Sequence, residues 1–512
     1  MSLIEELLRD RGPMLSSDIA ELLRGRGKSP EAARQLVSRR SPQVAVLHGL
    51  PFPKRARFLY LSQQFGKDIY WSTLTQAIEK ANPAYAAAIA GVRAQGGCVR
   101  LQDFETIAGA PVKQKGQVSG TTILQRLCSV DLMSKTQIDG IGECVVLSGS
   151  SADNSALAKL RARLTTEGVL LDAIRGWAGK MNLASPGVTS IRNEAPPPQF
   201  TTCRFDLCGP SYLRPVRRPG EGKLQPGFLV ADVAVGIQLD KAGVSPFLKK
   251  CALIGNLRNA PRFIPMLIAD NFTPEALQEC RKAGIITTRP DTLFGLDVAR
   301  ALGDLLQTLS NAAAVAAANP QKLEQLFSSL TAIEGSAGNL RGALFELLVG
   351  HMVRALEGGS IDIGTVVMCL KTGQRAEIDV RRVAEKKVVI YECKGYQPAS
   401  QVSEQEIEEW LSQRVPTING AHREQERFSD STFRFEFWTC GGFHPSALAR
   451  LIKAKAHTKK YELDWKDGSA VREYAKQMKA PGIRKIFDEH YFNHELASLI
   501  EEQPPHELPK TA

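Results

Sequence analysis

The sequence lacks the features that mark membrane, secreted and dithiol proteins. No run in its 512 residues approaches eighteen consecutive apolar positions, which excludes a transmembrane helix by hydropathy. Its first ten residues contain acids where a signal peptide would have bases and a hydrophobic centre. The ten cysteines include no Cys-x-x-Cys pair, so neither a zinc ribbon nor a redox motif is supported. We therefore expect a cytoplasmic chain with no membrane partner.

The composition is that of ordinary globular domains with a basic surplus. Hydrophobic residues make up 43% and charged residues 23%, and the length predicts three or four domains. Lys and Arg number 65 against 54 Asp and Glu, a net charge of +11. A surplus of this size suits a polyanionic partner such as nucleic acid.

The most informative pattern is an acid on one predicted strand followed by Glu-x-Lys on the next. Asp379 lies in the apolar run 376–383, and Glu392 and Lys394 end the run 387–394. Because strand side chains alternate between faces, Glu392 and Lys394 share one face. Two charges at the end of a buried strand need a partner, and a divalent metal supplies one for carboxylate oxygens. The alternative is an ordinary solvated Glu–Lys pair.

These residues resemble the PD-(D/E)xK, or restriction-endonuclease-like, phosphodiesterase superfamily. Its core has a helix, a three-stranded meander, a helix and a strand, with the Asp on the second strand and Glu-x-Lys on the third. The elements predicted for 338–500 follow this order: a helix over 339–356, strands over 361–370 and 376–383 around the turn 371–373, the strand 387–394, a helix from 403 to about 414 and a strand over 433–440. Ile378 replaces the proline that precedes Asp379 in the name-giving motif. Many members have a further Glu on the first helix, and Glu346 fits that place. The resemblance implies catalytic roles for Asp379, Glu392, Lys394 and Glu346, with Mg²⁺, or Mn²⁺ in its place, bound by Asp379, Glu392 and Glu346.

Residues 1–66 resemble a winged helix. Three helices are predicted over 2–11, 19–24 and 30–40, followed by two strands around a basic loop. In such a module the third helix enters the major groove and the loop contacts phosphates. The candidate DNA-binding residues lie on the third helix and the loop: Arg34, Arg39, Arg40, Lys54, Arg55 and Arg57. Winged helices also dock proteins, and this alternative stays open.

The segments between these two regions have less specific patterns. Residues 67–150 repeat the winged-helix outline, and 151–198 combine a connecting helix with a Pro-rich linker. Residues 199–310 predict an α/β domain, with strands over 228–236, 262–269 and 285–289, that is similar to the second half of the nuclease fold. Its strand around Asp232 lacks Glu-x-Lys, so we interpret it as an inactive nuclease-like domain in which Asp232 is a satisfied strand-end acid. Residues 311–337 are predicted to be a linker and 501–512 a disordered tail.

The predicted fold class is therefore multidomain, α+β and α/β, with tandem winged helices, a central α/β domain and a C-terminal restriction-endonuclease-like domain. The predicted function is Mg²⁺-dependent cleavage of duplex DNA, in prokaryotic defence (restriction or anti-phage) or in DNA repair, alone or with partner proteins. Double-strand cleavage needs two active sites and would favour a homodimer. The alternative is a winged-helix DNA-binding regulator or assembly factor whose nuclease-like domain is structural, with RNA cleavage as a third hypothesis.

Overall fold

A computed structural model divides the chain into two compact units. The first comprises Met1–Gln137, Glu143–Ser151 and Ala178–Thr288, and the second Ile138–Gly142, Ala152–Trp177 and Arg289–Ala512. The structure describes residues 2–39, 41–138, 141–150, 153–185, 187–219, 224–310, 337–396, 400–478, 487–488 and 491. The predicted mixed α+β class is confirmed at this level. Within the described ranges, no helix is long and apolar enough to cross a membrane.

The N-terminal module has the element order helix, strand, helix, helix, strand, strand. Its helices are Leu3–Arg11, Ser16–Gly25 and Pro30–Ser38, and its strands are Met14–Leu15, Val44–Val46 and Phe58–Leu61. Phe58–Leu61 is the central strand and is antiparallel to both others. Ser2 and Ser29 cap the first and third helices with their side-chain oxygens. The predicted elements are thus present, with the short strand Met14–Leu15 added.

The next segment has one additional helix and then repeats this element order. Its helices are Asp68–Ala81, Pro83–Ala94, Phe104–Ile107 and Gly120–Ser129, and its strands are Cys98–Arg100, Met133–Ile138 and Gly142–Leu147. The helix Asp68–Ala81 was not predicted. Its Tyr70 packs edge-on against Phe58, so one hydrophobic cluster contains residues from both sides of the predicted boundary at residue 66.

The central segment forms a five-stranded mixed sheet. The strands, in spatial order, are Ser190–Ile191, Leu207–Ser211, Gly227–Leu239, Phe263–Phe272 and Ile286–Thr288. The first three are antiparallel neighbours, and the last three run parallel to one another. Helices Lys241–Gly255 and Pro274–Lys282 make the two parallel crossovers. The three later strands were predicted; the first two are short and were missed.

The C-terminal sheet has the same strand order and the same directions. Its strands are Ser360–Met368, Arg375–Ala384, Lys387–Lys394, Thr432–Thr439 and Glu462–Lys466. The first crossover is a helix over Glu404–Glu409, a π-helical turn over Trp410–Arg414 and a helix over Val415–Arg423; the second is Pro445–His457. Helices Ala337–Glu357 and Gly468–Lys476 flank the sheet, and the helix Asn154–Lys180 also contributes to this unit. The helix Pro445–His457 was not predicted.

Both faces of this sheet are covered. The partners Ile363, Val380 and Tyr391 share one face, and a Cβ on Gly350 would touch Ile363, so the helix Ala337–Glu357 covers that face. On the other face, Ile390 belongs to a cluster with aromatic and aliphatic side chains of the crossover helices. Side chains alternate between the two faces of a sheet. Asp379 adjoins Val380 of the first face and Glu392 is two positions after Ile390 of the second face, so both acids lie on the second face.

Some predicted features lie outside the described residues. These are Arg40, residues 311–336 of the linker and the tail 501–512.

A buried histidine stabilises the second face. His422 is fully buried; its Nδ1 donates to the carbonyl of Ile418 (2.8 Å), so Nε2 accepts from Arg381 (3.0 Å). Arg381 also binds Asp362 at 2.6 Å. Burial lowers the pKa of His422 to about 4, and the Arg381 charge acts in the same direction. The neutral ring is therefore the form that this network needs.

Acid should destabilise the second unit through His422. The pKa of His422 in the folded protein lies below the ordinary value of about 6.5. The stability that neutral His422 contributes is therefore fully present above pH 6.5 and is lost as the pH falls towards 4. Between pH 6.5 and 5 the loss should be about 2 kcal/mol in the free energy of unfolding. Urea unfolding of wild type and His422→Gln at both pH values measures it, and an equal pH dependence in the two proteins would contradict it.

Candidate active site

Asp379 and Glu392 lie opposite each other where two antiparallel strands separate. The last hydrogen-bonded partners are Val380 and Tyr391, and the next register position on each strand is one of the acids. Both residues are buried, with 6% and 4% exposure. The Oδ2 atom of Asp379 accepts the backbone N–H of Cys393 at 2.7 Å. The predicted juxtaposition of the two carboxylates is therefore present.

Lys394 forms an ion pair with Glu392 in this site. Its Nζ lies 2.9 Å from Oε1 of Glu392. Burial acts to lower the pKa of Lys394, but the charges of Glu392 and Asp379 outweigh it and raise the pKa above its ordinary value. Lys394 is consequently an ammonium group at neutral pH, which suits electrostatic stabilisation and hydrogen-bond donation. It does not suit a general base.

Arg414 joins the two acids and was not identified from the sequence. One guanidinium nitrogen binds Oε1 of Glu392, and another lies 3.4 Å from Oδ1 of Asp379 and 3.0 Å from the carbonyl of Glu377. The residue ends the π-helical turn Trp410–Arg414 that precedes Pro416. Sequence patterns predicted that this helix stops near Arg414, and the structure continues it to Arg423.

A second acid–base pair adjoins these residues and was also missed. Glu377 lies two positions before Asp379 on the same strand, and its Oε1 is 2.5 Å from Arg161 on the helix Asn154–Lys180. Arg161 also donates to the carbonyl of Gly364 at 2.8 Å. Burial raises the pKa of Glu377 to about 7, an effect that Arg161 partly offsets. Since Gly364 is 203 positions from Arg161, local sequence contains no signal for this contact.

Glu346, the acid predicted on the first helix, belongs to the same electrostatic cluster. Burial raises its pKa well above the ordinary value, and Asp379 and Glu377 raise it further. The pKa of Glu392 is also raised, by burial and by Asp379. The cluster contains one more carboxylate than cations: its acids are Glu346, Glu377, Asp379 and Glu392, and its cations are Arg161, Lys394 and Arg414. Additional positive charge would stabilise it.

The donor set fits a divalent metal in charge and ligand type, but its side chains do not form a coordination shell. Within the described residues no group of three or more His, Cys, Asp or Glu is arranged to hold a metal ion. The predicted ligands Asp379, Glu392 and Glu346 are thus not gathered around one point. The guanidinium of Arg414 binds oxygens of the first two. A metal would have to compete with that guanidinium.

The first unit contains a counterpart of this acid pair. In its sheet Leu207 pairs with Ala231, and the next register position holds Asp206 and Asp232. The Oδ2 atom of Asp206 accepts the backbone N–H of Val233 at 2.9 Å, as Asp379 accepts that of Cys393. The strand position two after Asp232 is Ala234, where the C-terminal strand has Lys394.

The counterpart is neutralised by internal cations. Arg192 binds both oxygens of Asp206, at 2.7 and 2.6 Å. Lys250, on the crossover helix Lys241–Gly255, binds Asp232 and is fully buried. The interpretation of Asp232 as a satisfied acid is confirmed, but its placement at a strand end is wrong, because it lies inside the strand Gly227–Leu239.

The candidate DNA-binding residues of the N-terminal module lie at its surface. Arg34 is on the helix Pro30–Ser38 and Arg39 follows it; both are exposed. Lys54, Arg55 and Arg57 are exposed in the loop that joins the antiparallel strands Val44–Val46 and Phe58–Leu61. These cations therefore form two groups, one on the third helix and one on the hairpin loop.

Comparisons with known proteins find no matching family model, no matching curated protein and no matching solved structure.

The Arg161–Glu377 pair should be necessary for the stability of the second unit. Arg161→Met removes the charge that partly offsets the burial of Glu377, so the pKa of Glu377 should rise further and its carboxyl group is left buried without its ion-pair partner. This loss should cost about 3 kcal/mol in the free energy of unfolding at pH 8. Glu377→Gln combined with Arg161→Met should recover most of that loss, because no uncompensated charge remains. Urea unfolding of the two single variants and the double variant measures the coupling; a double variant no more stable than Arg161→Met would contradict it.

Proposed function

We propose that the chain is a divalent-metal-dependent DNA endonuclease whose active site lies on the C-terminal sheet. The observation that carries the proposal is the register of Asp379 and Glu392, side by side at a strand opening, with the Lys394 ammonium 2.9 Å from Glu392. Burying ionised side chains of this kind costs free energy unless opposite charges or a metal compensate them. The raised pKa of Glu346 and of Glu392 indicates that a cation would stabilise the cluster further.

The roles of the side chains follow from their charges. Asp379 and Glu392 would hold the metal, with Glu346 as a further ligand or as a group that orients one. A bound divalent metal supplies Lewis acidity and lowers the pKa of a water molecule. Lys394, already an ammonium group, would donate to the scissile phosphate or to the attacking water and stabilise the negative charge that develops in the transition state.

The strand order supports the likeness to the PD-(D/E)xK superfamily. A helix, an antiparallel meander of three strands, a crossover helix and a parallel strand follow one another from Ala337 to Thr439. Asp379 lies on the second strand and Glu392 with Lys394 on the third, as in that superfamily. Membership remains part of our proposal, and so does a role in prokaryotic defence or DNA repair.

The N-terminal modules supply the proposed DNA-binding arm. Their element order, helix, strand, helix, helix, strand, strand, is that of winged helices, which place the third helix in the major groove. The exposed Arg34 and Arg39 would contact DNA from that helix, and Lys54, Arg55 and Arg57 would bind phosphates from the wing. Duplex DNA is the partner that this charge distribution favours.

One observation favours the alternative of a DNA-binding regulator or assembly factor. Both acid pairs in this chain are bound by a cation from the following crossover helix, Arg414 in one sheet and Lys250 in the other. A nuclease-like fold held by internal ion pairs could serve as a platform only. Incubation with plasmid and with single-stranded DNA, in Mg²⁺, Mn²⁺ or EDTA, distinguishes the two: metal-dependent cleavage supports the enzyme, and binding without cleavage supports the regulator.

Lys394→Ala should reduce DNA cleavage about a hundredfold or more while leaving folding and DNA binding near wild type. The reason is that loss of one preorganised electrostatic group in a transition state commonly has this effect. Lys387→Ala is the matched control, because Lys387 is an exposed lysine at the opposite end of the same strand. Cleavage by Lys394→Ala at more than about a tenth of the wild-type rate would remove Lys394 from the catalytic set.

The proposed wing should affect DNA affinity and leave the chemistry intact. Replacing Lys54, Arg55 and Arg57 by Ala removes up to three phosphate contacts, each contributing about 0.9 to the slope of log affinity against log salt. The slope should fall by about two to three, and duplex binding should weaken for all sequences alike.

The matched control for the wing variant replaces three exposed bases of the first unit by Ala. They are Arg258, Arg281 and Lys282, which lie outside both N-terminal modules. This variant has the same change in net charge. A salt slope that is unchanged in the wing variant, or reduced equally in both variants, would contradict the assignment of the wing to DNA binding.

A further inference from the structure

We propose that Arg414 and a divalent metal compete for the same carboxylate oxygens, so that the guanidinium must leave Asp379 and Glu392 before metal binds. This inference rests on the proposed function, since it concerns the metal site of the proposed nuclease. It goes further by assigning to a side chain outside the Asp and Glu-x-Lys set control over metal affinity. Because Arg414 would act on the metal through Asp379 and Glu392, we call it a positioning residue and not a catalytic residue.

The contacts of Arg414 account for the competition. Its guanidinium binds Oε1 of Glu392 and lies 3.4 Å from Oδ1 of Asp379. Those two oxygens belong to the two acids that would contribute the negative charge of a metal site. Hydrogen bonds between ionised groups are the strongest class in proteins, and a guanidinium can bridge two carboxylates with its separate N–H groups. A cation that approaches these oxygens therefore meets the repulsion of the guanidinium charge and competes with its hydrogen bonds for their lone pairs.

The counterpart in the first unit supports this interpretation independently. There, Asp206 and Asp232 occupy the same register positions, and the cation on the following crossover helix is Lys250. Its Nζ also donates to the carbonyl of Arg204 at 3.0 Å and lies 4.3 Å from the ring centre of Phe205. A cation from this crossover helix is thus a recurring way in which this chain neutralises an acid pair.

The two cations differ in their freedom to move. The side chain of Lys250 has no exposure to solvent, and its neighbours include the aromatic ring of Phe205. The side chain of Arg414 is 25% exposed and lies at the end of the π-helical turn Trp410–Arg414. π-Helical turns inside α-helices are often found at functional sites. Arg414 therefore lies closer to solvent than Lys250, and on leaving the two acids it would also give up its hydrogen bond to the carbonyl of Glu377.

The consequence for function is a site whose metal affinity is set by an internal competitor. At low metal concentration Arg414 compensates the charges of Asp379 and Glu392. At higher concentration the metal displaces it, and the guanidinium becomes available to another anion. The first unit should bind no metal at Asp206 and Asp232, because its cation is enclosed.

Calorimetric titration with Mn²⁺ tests the competition without measuring cleavage. Arg414→Gln removes the competing charge and should tighten Mn²⁺ binding about tenfold or more, the effect of losing one charge-assisted hydrogen bond that metal must otherwise break. Arg414→Lys keeps the charge but cannot bridge two acids, and should have intermediate affinity. Arg423→Gln, which removes an exposed arginine from the adjoining helix, should bind Mn²⁺ like wild type.

Thermal melting in EDTA and in Mn²⁺ is the second readout and shows that each variant is folded. Arg414→Gln should melt at a lower temperature than wild type in EDTA, and Mn²⁺ should raise its melting temperature by more than it raises that of wild type. If Arg414→Gln fails to fold even with Mn²⁺, the titration of Arg414→Lys decides, and an affinity no tighter than wild type overturns the inference.

The outcomes separate this inference from the proposed function. Unchanged or weaker Mn²⁺ binding in Arg414→Gln, with measurable binding in wild type, overturns the competition and leaves the metal site standing. Equal tightening in Arg414→Gln and Arg423→Gln overturns it too, because it then reflects net charge alone. If no variant binds Mn²⁺, or if Asp379→Asn binds it as wild type does, the proposed metal site itself is wrong.

Discussion

The candidate site is organised by the free-energy cost of holding like charges close together in a buried place. Asp379 and Glu392 face each other at the point where their strands separate, and Glu346 and Glu377 add two further carboxylates. Desolvation and mutual repulsion both favour protonation of such a cluster. Each remaining feature of the site offsets this cost: the N–H of Cys393 on Asp379, the ammonium of Lys394, and two guanidinium groups.

An acid pair that internal cations neutralise occurs twice in this chain, but the two sites differ in their side chains. Both five-stranded sheets have the same strand order and directions, and both place two acids at one register position with a backbone N–H on the first acid. The central sheet has Ala234 where the C-terminal sheet has Lys394, and its acids are neutralised by Arg192 and Lys250. A stable acid pair therefore needs only internal cations. Lys394, the partly exposed Arg414 and the two further carboxyl groups of Glu346 and Glu377 are what make the C-terminal pair a candidate for chemistry.

Sequence patterns were sufficient to predict those parts of the fold and of the site whose signal is local in the sequence. Alternation in the run 387–394 predicted the strand and the common face of Glu392 and Lys394, and the turn residues before it predicted the meander that carries Asp379. Short strands such as Leu207–Ser211 were missed because a run of so few residues is too short to show a clear alternating pattern. The helix that begins at Glu404 was predicted to end near Arg414, but a π-helical turn over Trp410–Arg414 leads into a further helix that ends at Arg423. Arg161 and Arg414 reach the acids only through tertiary packing, which no spacing rule describes.

The central claim is that Asp379 and Glu392 form a divalent-metal site. The most direct measurement is a crystal structure of the protein grown with Mn²⁺, with anomalous scattering used to locate the ion. Our account predicts an anomalous peak bound by carboxylate oxygens of Asp379 and Glu392, with the Arg414 guanidinium moved away from both. No peak at these residues at saturating Mn²⁺, with Arg414 still bound to Glu392, would contradict it.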